Sequence, residues 1–178
     1  MQEEISDYEN HVYLRHQQIN HGNIPLWALI RALTIGTVSK MYSYLKPSNK
    51  YQISIEFTNV TEGELARMLN LLSRFRNVCA HNERLYDYVY QKGDIKNTDI
   101  HRKLDIRKKK GVYVQGKKDL FAVVIVFKYL LGQKDFERFL DSMVKLTDNL
   151  LSQTSILQEL QLLKMMGFPD NWKEIRNV

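Results

Sequence analysis

Between positions 61 and 79 a helix start and an apolar period coincide, and no other stretch of the chain constrains the fold as tightly. Thr61 and Glu64 have the spacing of a capping box, in which each side chain serves the other residue's backbone N–H. Behind them Leu65, Met68, Leu69, Leu72, Phe75 and Cys79 recur at i, i+3, i+4 and i+7, which predicts a helix with one buried face. Cys79 falls on that face and reads as a small core residue with no redox task.

Further helical patterns surround this one, and the expected fold is all-α. Residues 6–20 predict a polar first helix, broken by His21-Gly22-Asn23. Pro25 suits the first turn of a second helix over 26–45, with Leu29, Leu33, Val38, Met41 and Leu45 as its apolar stripe. Gly36 within it predicts a close helix contact. Tyr51, Ile53, Ile55 and Phe57 alternate with polar neighbours, so 51–57 is expected to be a short strand or an extended segment. Residues 86–116 carry no clear period and hold Gly93, Gly111 and Gly116, which predicts a long loop containing at most a short helix or hairpin. Helices over 119–131, 134–151 and 155–166 complete the set, with Gly132 between the first two and Gly167-Phe168-Pro169 after the last. Trp27 and Trp172 read as packing anchors.

The 178 residues suit one domain with a single large core, and a hydrophobic content of 44% with ten tyrosines excludes a disordered chain. A single cysteine rules out an intramolecular disulfide and a Cys-rich zinc site, so a reducing cytoplasm is the expected location. The longest apolar run, 120–127, is far short of a membrane span. His11, His16 and His21 are spaced by five, which spreads them around a helix and argues against a metal cluster. The net charge of +6 favours an anionic partner, and its distribution is more informative. Between His101 and Lys118 stand Arg102, Lys103, Arg107, Lys108, Lys109, Lys110, Lys117 and Lys118 against the single acid Asp105. A long basic loop over 87–118 that contacts RNA is expected, with a merely solvated loop as the alternative.

Arg76-Asn77-Val78-Cys79-Ala80-His81 closes the 61–79 helix. At about 100° per residue Arg76 continues the stripe of Leu65, Leu69 and Leu72, where a guanidinium needs a carboxylate, a subunit interface or an anion-receiving cleft. Asn77 and His81 are four apart and share another face, about 140° from Arg76 for the histidine, so the amide can hold the imidazole in one tautomer. Taken alone, such a pair reads as a surface ion pair. The chemistry it suits is metal-independent RNA cleavage, because the 2′-hydroxyl of RNA supplies the nucleophile and the enzyme need only move protons and stabilise charge. A histidine can do either proton transfer and an arginine can grip phosphate with two hydrogen bonds. No metal or other cofactor is called for. One such histidine per chain predicts that acid and base come from two chains. Arg84 is a candidate secondary phosphate contact, Arg74 reads as a solvated charge, and Tyr86 as a packing residue.

Arg76-Asn77-x-x-x-His81 resembles the motif of HEPN domains, whose active members are metal-independent RNases with a composite site at a dimer interface. The wider sequence resembles the Abi-like (abortive infection) proteins of bacterial phage defence. The blocks that carry this are Ile24-Pro25-Leu26-Trp27 leading into Leu33-Thr34-Ile35-Gly36, then the motif with Asn82-Glu83-Arg84-Leu85-Tyr86, then Met166-Gly167-Phe168-Pro169-Asp170-Asn171-Trp172. Abi-like proteins usually carry a further helical region before the Pro-Leu-Trp block, and here only two dozen residues precede it. A fragment, or a compact form holding the HEPN half alone, is therefore expected.

The resemblance implies a HEPN-like helical bundle over 1–178 and a dimeric endoribonuclease, a regulated toxin restrained by an antitoxin or other partner. His81 would be the acid/base group, Arg76 the phosphate clamp, and Asn77 the orienting residue. The alternative is a non-catalytic dimerisation or RNA-binding module in which the motif only holds an interface together.

Overall fold

The computed structural model describes residues 11–153 and 159–178. It is a helical fold with one two-stranded hairpin. In chain order the elements are α1 (Val12–His21), α2 (Leu26–Leu29), α3 (Ile35–Tyr44), α4 (Pro47–Ser54), α5 (Glu62–Ala80), α6 (Asp99–Lys103), β1 (Lys108–Lys109), β2 (Val112–Tyr113), α7 (Leu120–Leu130), α8 (Gln133–Ser152), α9 (Glu159–Met166) and a closing 3₁₀ helix (Trp172–Asn177).

The central helix is α7. Phe121 to Val126 are all buried, so it is apolar on every side, as a helix surrounded by others must be. α5 presents Leu65, Met68, Leu71, Phe75 and Val78 to this core, and α8 presents Phe136 and Leu140. Phe168 and Trp172 close it, ring centroids 5.0 Å apart and edge to face, with Phe168 also 5.1 Å from Phe121. A separate small cluster of Leu14, Ala28 and Leu29 holds α1 to α2.

The α5 cap forms as the sequence predicts: Thr61 Oγ1 accepts from the Glu64 N–H at 3.4 Å, and Glu64 Oε2 accepts from the Thr61 N–H at 2.9 Å. Gly36 makes the predicted close contact, since a Cβ there would lie 3.1 Å from Ser73 Oγ on α5. Three expectations need correction. The helix over 26–45 is two helices, because Thr34 Oγ1 accepts from the Thr37 N–H at 3.1 Å and starts α3 afresh. Residues 51–54 are helical, continuing from Pro47 in the first turn, where its missing N–H costs nothing. The alternating Tyr51, Ile53 and Ile55 line no sheet face; all three are exposed. Trp172 is an anchor as expected, but Trp27 is 62% exposed. Of the first expected helix, residues 12–20 are helical and 6–10 lie outside the described residues, as do 154–158 ahead of α9.

The segment 87–118 is not free of the core. Tyr90, Ile95, Ile100, Leu104 and Ile106 are buried, while the β1–β2 hairpin projects outward with Lys108 opposite Tyr113 and Lys109 opposite Val112. Its two-residue turn has φ of 50° at Lys110 and 80° at Gly111, the signature of the type I′ turns that fit strand twist. The base of the segment is held by Asp119, the N-cap of α7. Its carboxylate accepts from the Ala122 N–H at 3.0 Å and from the Gly116 N–H at 2.9 Å. Gly167, φ 75°, packs directly on this carboxylate, and a Cβ there would lie 2.5 Å from Asp119 Cβ and Cγ. Gly167→Ala adds left-handed strain to that overlap, and urea denaturation should show a loss of about 2–4 kcal/mol.

Candidate functional site

The motif sits where α5 ends, and the end is built by the motif's own neighbours. Asn82 takes a left-handed φ of 52°. The Asn82 N–H bonds to the Cys79 carbonyl at 3.3 Å and the Glu83 N–H to the Val78 carbonyl at 3.1 Å. These two bonds are the Schellman pair, with asparagine where glycine is commonest. His81 is thereby the last residue before the turn, and the chain folds back so that Tyr88 meets Phe75 edge to face at 5.0 Å. Arg76 and His81 are exposed and Asn77 is half-buried.

α5 has two inward directions rather than one. Leu65, Met68, Leu71 and Val78 point inward, whereas Leu72, Arg76 and Cys79, with the buried Phe75 between the two sets, line a groove of about 900 Å³ between α5, α7, α8 and α9. The walls are almost wholly apolar, Val123, Phe127, Phe139 and Met143 among them. This corrects the reading of Cys79, which is exposed in the groove and not packed in the core. Periodicity merges the two directions because they lie within about one residue step of each other around the helix. Arg76 does continue an apolar stripe, and the stripe leads to an open groove.

Among the described residues Arg76 makes no hydrogen bond or ion pair, and no side-chain hydrogen bond joins Asn77 to His81. Among the described residues no hydrogen bond therefore ties Arg76 to the Asn77 or His81 side chain. Arg84 is engaged, 3.7 Å from Asp87. No group of three His, Cys, Asp or Glu among the described residues is placed to hold a metal.

The basic segment divides in two. Lys103, Arg107, Lys108, Lys109, Lys110 and Lys118 are exposed, as is Arg102, which pairs with Asp99 at 3.0 Å. Lys108 lies 4.6 Å over the Tyr113 ring. Lys117 is different: it is buried, donates to the Ile95 carbonyl and to Asn97 Oδ1 at 3.0 Å, and faces Asp94 at 3.7 Å. Asp94 also pairs with Arg67 at 3.2 Å. Lys117 is thus removed from the expected anion-facing set, and burial lowers its pKa.

His101, which no sequence signal singled out, is fully buried at the base of the hairpin and stacks on Tyr113 at 4.8 Å. Its Nε2 lies 2.9 Å from the Gly116 carbonyl, which can only accept, and its Nδ1 receives the Thr98 N–H at 3.1 Å. The ring is therefore the neutral Nε2–H tautomer, its Nδ1 also 2.8 Å from the Thr98 hydroxyl. Burial accordingly pushes its pKa down to about 4, while burial pushes the Asp119 carboxyl up to about 6 against the N–H donors that favour its charge.

The comparisons with known proteins bear on the first half of the chain. Residues 1–87 match the Abi-like protein family. This stretch is similar to Abi-like proteins. It includes the Pro-Leu-Trp block and the whole Arg76 to Tyr86 block, while the block from Met166 to Trp172 lies beyond it. No curated protein and no solved structure matches the chain.

The buried histidine has a definite pH signature. With a folded pKa near 4 and an unfolded one near 6.5, His101 contributes stability that is present above pH 6.5 and lost as pH falls towards 4. Asp119, raised to about 6, acts in the opposite sense, its contribution being lost as pH rises from its ordinary value of 3.8. His101→Gln keeps a donor for Gly116 and removes only the first effect. The stability gap between wild type and this variant should shrink by about 2 kcal/mol between about pH 7.5 and about pH 5, measured by chemical denaturation.

Proposed function

We propose that this protein is a metal-independent endoribonuclease of an abortive-infection, toxin-type defence system, and that its active form is a homodimer. What carries the reading is the state of the motif: an arginine with no partner among the described residues, beside an exposed histidine, at the rim of an open apolar groove. A guanidinium kept only to stabilise the chain would be paired within it.

In the reaction the 2′-hydroxyl loses its proton to a general base, O2′ attacks the adjacent phosphorus, and the P–O5′ bond breaks as a general acid protonates the departing oxygen. The products are a 2′,3′-cyclic phosphate and a 5′-hydroxyl. His81 serves as acid/base, Arg76 holds the non-bridging oxygens as charge grows on them, and Asn77 orients the imidazole or the backbone. Since one chain offers one such histidine, two α5 ends meeting across a dimer would supply both proton transfers. The apolar groove beside Arg76 is the surface such a dimer would cover. The runner-up, a non-catalytic dimerisation or RNA-binding module, would be favoured by a monomer in solution or by an Arg76 held against a carboxylate with His81 out of reach.

His81→Ala should lower the cleavage rate by about 10²–10⁴-fold with EDTA present throughout. Mixing Arg76→Ala with His81→Ala chains should restore part of it if the sites are composite. Loss of wild-type activity in chelator, or 5′-phosphate products, would overturn the mechanism; a fully active monomer on light scattering would overturn the composite site.

The exposed cations of the hairpin are the proposed route for the RNA backbone. Replacing Lys108, Lys109 and Lys110 with Gln should reduce the slope of log affinity against log salt by about 2, with similar losses across RNA sequences. An unchanged slope would make the hairpin a solvated surface.

A further inference from the structure

The stretch between Glu9 and Glu56 contains no Asp or Glu, yet it carries Arg15, Arg31, Lys40, Lys46 and Lys50. The fold turns part of it into a rigid corner where α3 meets α4. Beneath the corner, Tyr42 is buried and its hydroxyl donates to the Glu62 carbonyl at 3.2 Å. Lys50 turns inward too, its Nζ donating to the Ser43 carbonyl at 2.7 Å. The outer surface is left with Lys40, Tyr44, Lys46 and Tyr51.

Tyr44 is 87% exposed and Tyr51 is 52% exposed. Lys40 and Tyr44 are four apart on α3 and so share one face. The flanking acids are Glu56, after α4, and Glu62, at the start of α5 under the Tyr42 hydroxyl. A tyrosine almost wholly in water and a second about half in water, with two exposed lysines that make no ion pair among the described residues, are carried on a braced backbone. They match the chemistry of single-stranded nucleic acid, where bases stack on the rings and phosphates meet the cations.

We propose that the α3–α4 corner is a stacking platform for single-stranded nucleic acid. A bilayer is a poorer match: the apolar side chains of α4 do not gather on one face, and a surface-lying helix needs such a face. α3 runs antiparallel to α5, with Gly36 against Ser73 and Tyr42 against Glu62, so the corner lies at the opposite end of α5 from the motif. At 1.5 Å per residue that is about 20 Å from Arg76. A strand held there could extend toward Arg76, but the platform itself does not rest on the catalytic reading.

The test uses a labelled single-stranded DNA of about twelve nucleotides, which has no 2′-hydroxyl and cannot be cut by the proposed route, with affinity read by fluorescence anisotropy. Tyr44→Ala with Tyr51→Ala should weaken binding about tenfold or more with the salt slope unchanged, and the corresponding Phe pair should retain it. Lys40→Gln with Lys46→Gln should reduce the salt slope by about 1.4. Helicity and melting should be unchanged in all of them, since the four side chains are exposed. Wild-type affinity in both the Ala and the Gln pairs overturns the platform, and equal losses in the Ala and Phe pairs overturn stacking. Loss of binding to phosphatidylserine vesicles with DNA affinity intact would assign the corner to a membrane instead. DNA binding without RNase activity would leave the platform standing and remove the catalytic reading.

Discussion

The buried carboxylate of Asp119 is the contact on which the arrangement of the second half of the chain depends. It ends the basic segment, starts α7 and sits against Gly167, so three separate stretches converge on two oxygens. A buried carboxylate is costly unless its lone pairs are used, and here the N–H groups of Gly116 and Ala122 use them. Gly116 is held from its other side as well, its carbonyl accepting from His101. That single peptide therefore links the neutral imidazole under the hairpin to the cap of the central helix. The hairpin can project its lysines outward because its base is fixed by groups that no solvent reaches.

The second constraint is the double orientation of α5. A helix with one apolar face would be satisfied by α7 and α3 alone, and its end would carry no special surface. Here Leu72 and Cys79 continue apolar character beyond the core and into a groove that Arg76 borders. Burying that groove would place the guanidinium in a surrounding of low polarity, where an anion held by it is bound far more strongly than in water. The same cover would be costly without an anion or a partner carboxylate. The groove and the arginine thus belong to one problem, and a second surface that closes one must satisfy the other.

What the sequence made legible was what depends on neighbours a few residues away. The Thr61–Glu64 cap, the glycine stop at 167 and the Asp119 start of α7 follow from local geometry, and Gly36 signals a close contact without naming its partner Ser73. The errors have a common cause, which is that a period can be produced by more than one environment. Tyr51, Ile53 and Ile55 alternate as in a strand, but nothing covers them and Pro47 starts a helix. Leu29 to Leu45 keeps a helical stripe across Thr34, so the cap inside it was overridden by the pattern around it. Cys79 was assigned to the core because about 100° separates core from groove, less than the width of an apolar face. The sequence places Lys117 among the exposed cations and gives no sign of the buried His101. Their partners, Ile95 and Asn97 for the lysine, Thr98 and Gly116 for the histidine, are chosen by tertiary closure, and no spacing announces it.

Charge follows the same division between what is used inside and what is left over. The ion pairs among the described residues run from Arg67 onward: Arg176 with Asp141, Lys173 with Asp148, Arg138 with Asp135, Arg102 with Asp99. The C-terminal helices thus pair three of their cations, Arg138, Lys173 and Arg176, at short range. The acid-free stretch before Glu56 has no carboxylate with which to do so, and the hairpin has only Asp105 nearby. Exposed cations outside any ion pair among the described residues therefore include those of the α3–α4 corner and the hairpin, with Arg76 on α5's groove face. Because exposed charges are screened within about 10 Å at ordinary ionic strength, an anion at one of these places hardly senses the others. Only a ligand that is itself extended, such as a polyanionic strand, can add their separate attractions together.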